Sequence, residues 1–295
     1  GYVTFKRTYA RRLSEFDEEA TGTEEWFQTC RRVIEGMFEM QKQHVYRLGL
    51  EWNDQKAQRT AKDAYDRLFN LKWTPPGRGL WMMGTKFVNE RTAAGLFNCA
   101  FRSTRELNTK GGYLFSWMMD ALMLGIGVGF DTLGAGTLTI QNPEYTNDSY
   151  VIEDSREGWV KSVEILLNGF FYGAKVPMFD YSAIRPYGAP IKGFGGTSSG
   201  FEPLKDLHTS LAELYTARVG QEITSVDIVD TENLIGRCVV AGNVRRSAAL
   251  ALGNHEDYEY LQMKNDSEKL AHHRWGSNNS FHAIVGQDYT WHAEQ

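Results

Sequence analysis

The sequence predicts an α/β protein preceded by a small helical domain. Residues 24–71 show the three- and four-residue apolar periodicity of helices, whereas after Asn98 helices alternate with short apolar strands. Between these regions Thr74-Pro75-Pro76-Gly77 stops a helix, because proline lacks an amide donor and glycine leaves the backbone unrestrained. We therefore predict a helical domain over residues 1–75 and an α/β region over residues 76–295. The boundary lies there or up to about twenty residues later.

The helical domain is predicted to contain two helices. In the first, apolar side chains recur at helical spacing while charged residues fill the other face; these apolar residues are Trp26, Cys30, Val33, Ile34, Met37 and Phe38. The second spans residues 53–69 and begins at a capping residue, Asn53 or Asp54.

The second region is predicted to alternate helices with short strands. Helices are expected over residues 113–124, from Ser155 or Glu157 through residue 172, over residues 203–219, and from Thr224 or Ser225 through residue 240. Strands are expected over residues 125–130, 176–181, 248–252 and 281–285, the last two buried because of their composition. This alternation indicates an α/β layer or barrel.

Composition and charge exclude several classes of function. The net charge of −5 and the pI near 5.9 leave no global basic field for binding duplex DNA or RNA. No apolar run reaches the roughly 20 residues that span a bilayer, so no membrane association is expected. The three cysteines, Cys30, Cys99 and Cys238, are too few for a secreted disulfide framework and indicate a reducing compartment. We therefore expect a soluble cytoplasmic protein.

Glycine clusters are the first sign of a ligand. They lie at residues 77–79, 125–136, 193–200 and 242–247. Glycine lets a backbone approach a ligand and turn its N–H groups toward anionic oxygens. Arg78, the hydroxyls of residues 197–199 and the Arg245-Arg246 pair accompany three of the clusters, and arginine can donate two hydrogen bonds to a phosphate. None forms a Walker A or dinucleotide motif, and for each cluster alone a tight turn is the favoured interpretation. Together they favour an enzyme of nucleotide phosphates.

Longer motifs carry a family resemblance. They are Phe97-Asn98-Cys99-Ala100-Phe101 with the helix and glycine-rich strand that follow, residues 180–200, residues 236–248, and Arg274-Trp275-Gly276-Ser277-Asn278-Asn279-Ser280. These motifs resemble the catalytic chains of ribonucleotide reductases. Residues 7–13 and 77–81 resemble the monomeric, adenosylcobalamin-dependent (class II) triphosphate reductases in particular. The resemblance implies the N-terminal half of the family's α/β barrel, preceded by a small helical domain.

The resemblance implies reduction of ribonucleoside tri- or diphosphates to deoxyribonucleotides by thiyl-radical chemistry with a redox cysteine pair. Cys99 matches the first cysteine of that pair, and two thiols can oxidise to a disulfide that an external dithiol reopens. Without the resemblance, a lone cysteine here is interpreted as apolar packing. Asn98 matches a position that offers a polar group to the substrate, and Arg78 and Gly79 match the substrate-phosphate region. Loop packing is the alternative for these three residues.

The resemblance also implies two loops that bind and relay a deoxynucleoside triphosphate effector. The first spans residues 125–136, and its candidate effector-binding residues are Gly127, Gly129 and Asp131. The second spans residues 242–247, and its candidates are Asn243, Arg245 and Arg246. A solvated basic turn is the alternative interpretation of the two arginines. Cys30 and Cys238 are predicted to be packing residues.

The implied cofactor is adenosylcobalamin as the radical source, and the implied reductant is an external dithiol such as thioredoxin. No metal site is expected, because no Cys/His spacing typical of zinc occurs. In one alternative the chain is a class I catalytic subunit without a cofactor of its own, and a separate metal-containing subunit supplies the radical. In the second alternative it is a non-catalytic nucleotide-binding fragment.

Several parts of the family pattern do not occur in the sequence. They are the finger loop with its Asn-x-Cys-x-Glu run, the second cysteine of the reducing pair and the C-terminal cysteine tail. We expect them on the remaining C-terminal half of the enzyme, so this chain alone is expected to be inactive. A half barrel also leaves an unpaired sheet edge that invites pairing with a partner segment.

Overall fold

The computed structural model describes residues 1–191, 197–241 and 248–293. Within these residues the chain divides into two compact units: unit 1 is Gly1–Asn98, and unit 2 begins at Cys99. The domain boundary after residue 75, or up to about twenty residues later, stays a prediction, because a compact unit is not by itself a functional domain.

Unit 1 is helical. Its helices are α1 (Tyr2–Thr8), α2 (Trp26–Arg47), α3 (Asp54–Phe69), α4 (Gly77–Met82) and α5 (Lys86–Glu90), with 3₁₀ turns at Leu13–Glu15 and Ala93–Leu96. The predicted helix pair is confirmed as α2 and α3. Asn53 caps α3 by accepting a hydrogen bond from the Lys56 amide at 2.9 Å.

The core of unit 1 lies where α2 meets α3 and α4. Its buried residues are Cys30, Val33, Ile34, Leu68 and Leu80, so the predicted packing role of Cys30 is confirmed. α2 also lies very close to the turn after α4, because a Cβ on Gly36 would be 2.4 Å from the Gly84 Cα. Gly84 has a φ of +75°, which favours glycine on conformational grounds as well.

A buried ion pair ties α2 to the preceding segment and to α4. The Arg32 guanidinium donates to both carboxylate oxygens of Glu24, at 2.7 and 2.9 Å, and to the Leu80 carbonyl at 2.9 Å. Glu24 Oε2 also accepts from the Arg11 amide at 3.1 Å and the Thr29 hydroxyl at 2.7 Å. Both charges therefore keep hydrogen-bond partners inside the unit, which offsets their loss of water.

Unit 2 contains parallel sheets. Its strands are β1 (Cys99–Arg102), β2 (Gly127–Asp131), β3 (Glu144–Val151), β4 (Lys175–Asp180), β5 (Ala249–Gly253) and β6 (Ser277–Phe281). A four-stranded sheet has the order β1-β2-β5-β6 with every neighbouring pair parallel. β3 and β4 form a separate parallel pair. Parallel strands linked through helices confirm the predicted α/β class.

The helices of unit 2 are α6 (Leu107–Lys110), α7 (Tyr113–Met123), α8 (Arg156–Tyr172), α9 (Glu202–Thr216), α10 (Ser225–Val240), α11 (Tyr258–Gln262), α12 (Ser267–His272) and α13 (Thr290–Ala293), with 3₁₀ turns at Met263–Asn265 and Arg274–Gly276. Four of them, α7 to α10, agree with the predicted ones within a few residues, and the four short helices were not predicted. Ser155 caps α8 and Thr224 caps α10, as predicted. Among the described residues, no helix combines the length and apolarity needed to cross a membrane.

The four-stranded sheet has one covered face and one open face. α7 and α10 pack against the sheet, and Val128, Phe130, Ala249 and Ala251 are buried on that side. Side chains alternate between the faces of a strand, so their neighbours in sequence point the other way. We call that other side the open face; its residues are Cys99, Phe101, Gly127, Gly129, Leu250 and Asn278.

The strand predicted at residues 281–285 is wrong. The strand observed in this region is β6, which ends at Phe281, and beyond it Ile284 and Val285 are exposed. β6 is rich in serine and asparagine, so its composition gives no strand signal, and pairing with β5 overrides propensity. The Tyr260 hydroxyl also donates to the Ser280 carbonyl at 2.7 Å. Strands β1 and β3 escape sequence-based prediction as well.

Two of the three buried carboxyl groups of α10 lie in opposite environments. Burial raises the pKa of Asp230, but hydrogen bonds from Arg274 and His273 outweigh it and leave that pKa lowered. Glu232 has no hydrogen-bond partner for either carboxyl oxygen among the described residues, and burial raises its pKa well above the usual value. Asp230 is therefore held ionised and Glu232 is held neutral.

Replacing Arg32 by methionine is expected to lower the free energy of unfolding by about 3–5 kcal/mol, because Glu24 would stay buried without a counter-charge. Urea unfolding measures the loss. The control is Arg31→Met on the same helix, since Arg31 pairs with Glu35 at the surface, where their side chains are 70% and 64% exposed. Equal losses in both variants would contradict the role given to the buried pair.

Glu232→Gln is expected to raise the free energy of unfolding at neutral pH. The folded state keeps a proton that the unfolded state releases above a pH of about 4.5, the usual pKa of the group. The contribution of Glu232 is therefore fully present below that pH and is lost as the pH rises through the folded-state pKa. Urea unfolding between pH 4 and pH 8 should show the gain in unfolding free energy at neutral pH and no gain near pH 4. Glu213→Gln, at an exposed site on α9, is the control; a gain independent of pH argues against this account.

Candidate active site

Cys99 lies at the start of the first strand of the sheet. It is the first residue of β1, and its side chain is exposed. Its register partner on β2 is Gly127, which places no side chain beside the thiol. The sulfur is therefore open to a ligand that approaches the open face.

An aromatic ring lies two residues further along the same face. Phe101 is 53% exposed and pairs with Gly129 of β2. A Cβ on Gly129 would lie 2.9 Å from the ring atom Cδ2 of Phe101, so the ring rests against the glycine. Leu250 and Asn278 continue this row across β5 and β6. The open face thus offers a thiol, an aromatic ring, an aliphatic side chain and a carboxamide.

Asp131 ends β2 and anchors the turn that follows. Its Oδ1 accepts hydrogen bonds from the Thr104 amide at 2.8 Å and the Leu133 amide at 3.2 Å, and it lies 2.9 Å from the Thr104 hydroxyl. That hydroxyl oxygen accepts from the Gly134 amide at 2.9 Å. Asp131 therefore fixes the turn that follows β2, within the predicted loop of residues 125–136, while its contact with an effector stays a prediction.

The three thiols of the chain differ in access. Cys99 is exposed, whereas Cys30 and Cys238 are buried. Burial raises the pKa of the Cys30 thiol and of the Cys238 thiol to about 12. Reactions of sulfur require the thiolate, so these two groups are unreactive at neutral pH. The predicted packing role of Cys238 is confirmed.

The predicted substrate residues belong to unit 1. Arg78 and Gly79 lie in α4, and Asn98 is the last residue of the unit. Arg78 is partly buried, which lowers the pKa of its guanidinium, and it lies over the Trp81 ring at 5.8 Å. A Cβ on Gly79 would be 3.0 Å from the Pro75 Cβ, and Asn98 is exposed. Contact of these residues with a substrate stays a prediction.

The structure unites only part of the predicted site. Four predicted residues lie together on β1 and β2, namely Cys99, Gly127, Gly129 and Asp131. The candidates of the second loop, Asn243, Arg245 and Arg246, lie outside the described residues. Across the part of the chain that the structure describes, no group of three or more His, Cys, Asp or Glu side chains could hold a metal ion.

Three open-face residues were missed by reasoning from the sequence: Phe101, Leu250 and Asn278. Phe101 could have been found, because residues two apart on a strand share a face. Leu250 and Asn278 could not, since their place beside β2 depends on strand order and register.

Comparisons with known proteins agree with this architecture. A family profile described as "Ribonucleotide reductase alpha domain" matches residues 1–85, and one described as "B12-dependent ribonucleotide reductase, insertion domain" matches residues 132–214. The crystal structure of a B-12 dependent (class II) ribonucleotide reductase superposes with a TM-score of 0.80 and 32% identity, over 95% of this chain and 45% of that one. The chain is homologous to the N-terminal part of class II ribonucleotide reductases.

Curated relatives carry the same family name. The chain is 42% identical to a probable adenosylcobalamin-dependent ribonucleoside-triphosphate reductase of Dictyostelium discoideum, over 98% of this chain and 40% of the relative. It is 44% identical to the corresponding enzyme of Euglena gracilis over the same shares, and 36% identical to that of Lactobacillus leichmannii over 95% and 44%. The chain thus spans less than half the length of these class II relatives. The predicted resemblance to class II is confirmed.

Native alkylation with iodoacetamide at pH 8 is expected to label one thiol of the chain, and alkylation in urea all three. The reason is that only Cys99 is exposed while burial suppresses the thiolates of Cys30 and Cys238. Mass spectrometry of peptides counts and places the labels. In Cys99→Ser, native labelling should disappear; native labelling of Cys238 instead would refute the assigned exposure.

Proposed function

We propose that this chain is part of the catalytic chain of a class II ribonucleotide reductase. The substrate is a ribonucleoside triphosphate, with a diphosphate as the alternative, and the product is the deoxyribonucleotide. The observation that carries the proposal is the exposed thiol of Cys99 at the head of β1, on the open face of a parallel sheet. The names of the relatives support it.

Cys99 acts as one of two electron donors in this proposal. Two thiols lose two hydrogen atoms and become a disulfide; the ribose loses its 2′ hydroxyl as water and gains hydrogen at that carbon. The buried thiol of Cys238 cannot serve as the second donor. The second cysteine and the radical cysteine therefore belong to the remaining C-terminal half of the enzyme. A thioredoxin-like dithiol reopens the disulfide by thiol exchange.

The other predicted residues keep their assigned roles within the proposal. Asn98, Arg78 and Gly79 bind the substrate. Gly127, Gly129 and Asp131 belong to the loop that senses a deoxynucleoside triphosphate effector. The hydrogen bonds between Asp131 and Thr104 support a fixed position for Asp131 within that loop. The second-loop candidates are Asn243, Arg245 and Arg246.

Adenosylcobalamin is the proposed cofactor because the relatives are named for it. When bound, it supplies the radical that starts the reaction. No residue of this chain is assigned to holding it, because the exposed thiol of Cys99 is proposed to act as a reductant. The match of the B12-dependent insertion domain favours class II over a class I subunit with a separate radical source. The cytoplasm is the proposed location, in accord with thiols that must stay reduced.

Cys99→Ser, introduced into the complete polypeptide, is expected to abolish multiple-turnover synthesis of deoxynucleotides, because a hydroxyl cannot form the disulfide. The assay contains a ribonucleoside triphosphate, adenosylcobalamin and a thioredoxin system. Cys238→Ala, at a buried site outside the proposed chemistry, should retain turnover. Unimpaired synthesis by the Cys99 variant would end the proposal.

Omission of adenosylcobalamin separates the two reductase classes in the same assay. We expect no product without it. Product formed without it, on addition of a metal-containing radical subunit, would favour the class I alternative. Deoxynucleotide binding without activity in every arm would favour the non-catalytic fragment.

A further inference from the structure

One cavity of unit 2 is lined by no residue of the four-stranded sheet. It has a volume of about 670 Å³ and opens where β4 ends and α9 begins. Four aromatic residues line it, namely Phe179, Tyr181, Tyr187 and Phe201. Two carboxylates, Asp180 and Glu202, share the lining. The described lining residues include no lysine, arginine or histidine.

Two of the rings, Phe179 and Tyr181, contact a buried histidine, and Phe201 lies against Tyr181. The Phe179 ring lies 4.5 Å from the His208 ring at an interplanar angle of 31°, and the Tyr181 ring lies 5.8 Å from that of Phe201. The Tyr181 hydroxyl and His208 Nδ1 are 2.7 Å apart, and His208 Nε2 lies 3.0 Å from the Ser162 hydroxyl. The aromatic wall is thus fixed before any ligand arrives.

The hydrogen-bond network assigns the state of His208. The Ser162 hydroxyl donates to the Trp159 carbonyl at 2.8 Å, so its oxygen accepts from His208 Nε2–H. Nδ1 then accepts from the Tyr181 hydroxyl. Burial lowers the pKa of His208 to about 3, so the ring is neutral and adds no positive charge behind the wall. The hydroxyl proton of Tyr181 is engaged in this hydrogen bond, so it is not offered to a ligand.

The charged groups among the described lining residues of the cavity are carboxylates. Asp180 accepts a hydrogen bond from the Ser182 amide at 2.9 Å, and this bond lowers the pKa of its carboxyl, so the group is ionised. Glu202 is exposed at the start of α9. Arg185, close by in sequence, is bound to Asp154 at 2.7 Å and to the Pro190 carbonyl at 2.9 Å. The field in the cavity is therefore negative, which opposes a phosphate and attracts a cation.

We propose that this cavity binds an organic cation, an ammonium or guanidinium group seated against the aromatic rings that line it, Tyr187 included, and paired with Asp180 and Glu202. Aromatic faces attract such cations through the negative face of the ring, and carboxylates add the counter-charge. The cation can come from a free polyamine or from a lysine or arginine side chain of a protein segment. The site is independent of the reductase proposal, because it shares no residue with the open face.

Calorimetric titration of the 295-residue chain with spermidine, and separately with an acetylated, amidated Gly-Arg-Gly peptide, tests the site. Binding of spermidine alone identifies a polyamine site, and binding of the peptide identifies recognition of a basic side chain. Glu202→Gln and Tyr187→Leu should each weaken binding by about two- to fivefold. Tyr187 is 80% exposed, so its replacement leaves the fold intact.

Glu213→Gln is the matched control, since it removes the same charge from an exposed position on α9 outside the cavity. Its affinity should equal that of the unchanged chain. Equal weakening in Glu213→Gln and Glu202→Gln would show only general attraction to an acidic surface and would overturn the site. Absence of binding by both probes, or displacement of a bound probe by dATP, would also overturn it. Loss of turnover in Cys99→Ser does not bear on these results.

Discussion

The one-sided cover of the four-stranded parallel sheet is the constraint on which the candidate active site depends. α7 and α10 bury one face, and parallel sheets are stable when both faces are covered. On the open face Phe101 and Leu250 keep 53% and 39% of their surface exposed. Apolar exposure next to a thiol is costly in water, so the face is built to receive further chain, a ligand or both.

Glycine and one aspartate give the open face its shape. Gly127 and Gly129 remove side chains from β2 exactly where β1 carries a thiol and a ring, so both groups have room. Asp131 then ends the strand, and its bonds with Thr104 bind the next turn to the segment after β1. The turn after β2 and the segment after β1 are therefore joined directly through these two residues. This is the kind of short, packed connection through which a bound effector could act on a site nearby.

Local signals in the sequence predicted the six longest helices, because caps and breakers act within a few residues. Asn53, Ser155 and Thr224 were recognisable as caps, and each makes the expected hydrogen bond. Strands were harder, since β6 owes its place to pairing with β5 and not to its serine and asparagine content. For the same reason Asn278 could be quoted in a motif but not placed beside Leu250. The role of Cys99 came from family resemblance, and only its exposure distinguishes it structurally from the packed cysteines.

Burial selects which sulfur can take part in chemistry. In the proposed reaction, two thiols become a disulfide. Unit 2 exposes the thiol of Cys99, whereas Cys238 is buried on α10. Moving Cys238 to the open face would require α10 to leave the sheet. This movement would break the bidentate pairing of Asp230 with Arg274. That rearrangement would cost far more than bringing a cysteine from elsewhere to the exposed sulfur of Cys99. In the proposed reaction, the second thiol therefore comes from outside these residues, on the side of the sheet that α7 and α10 leave open.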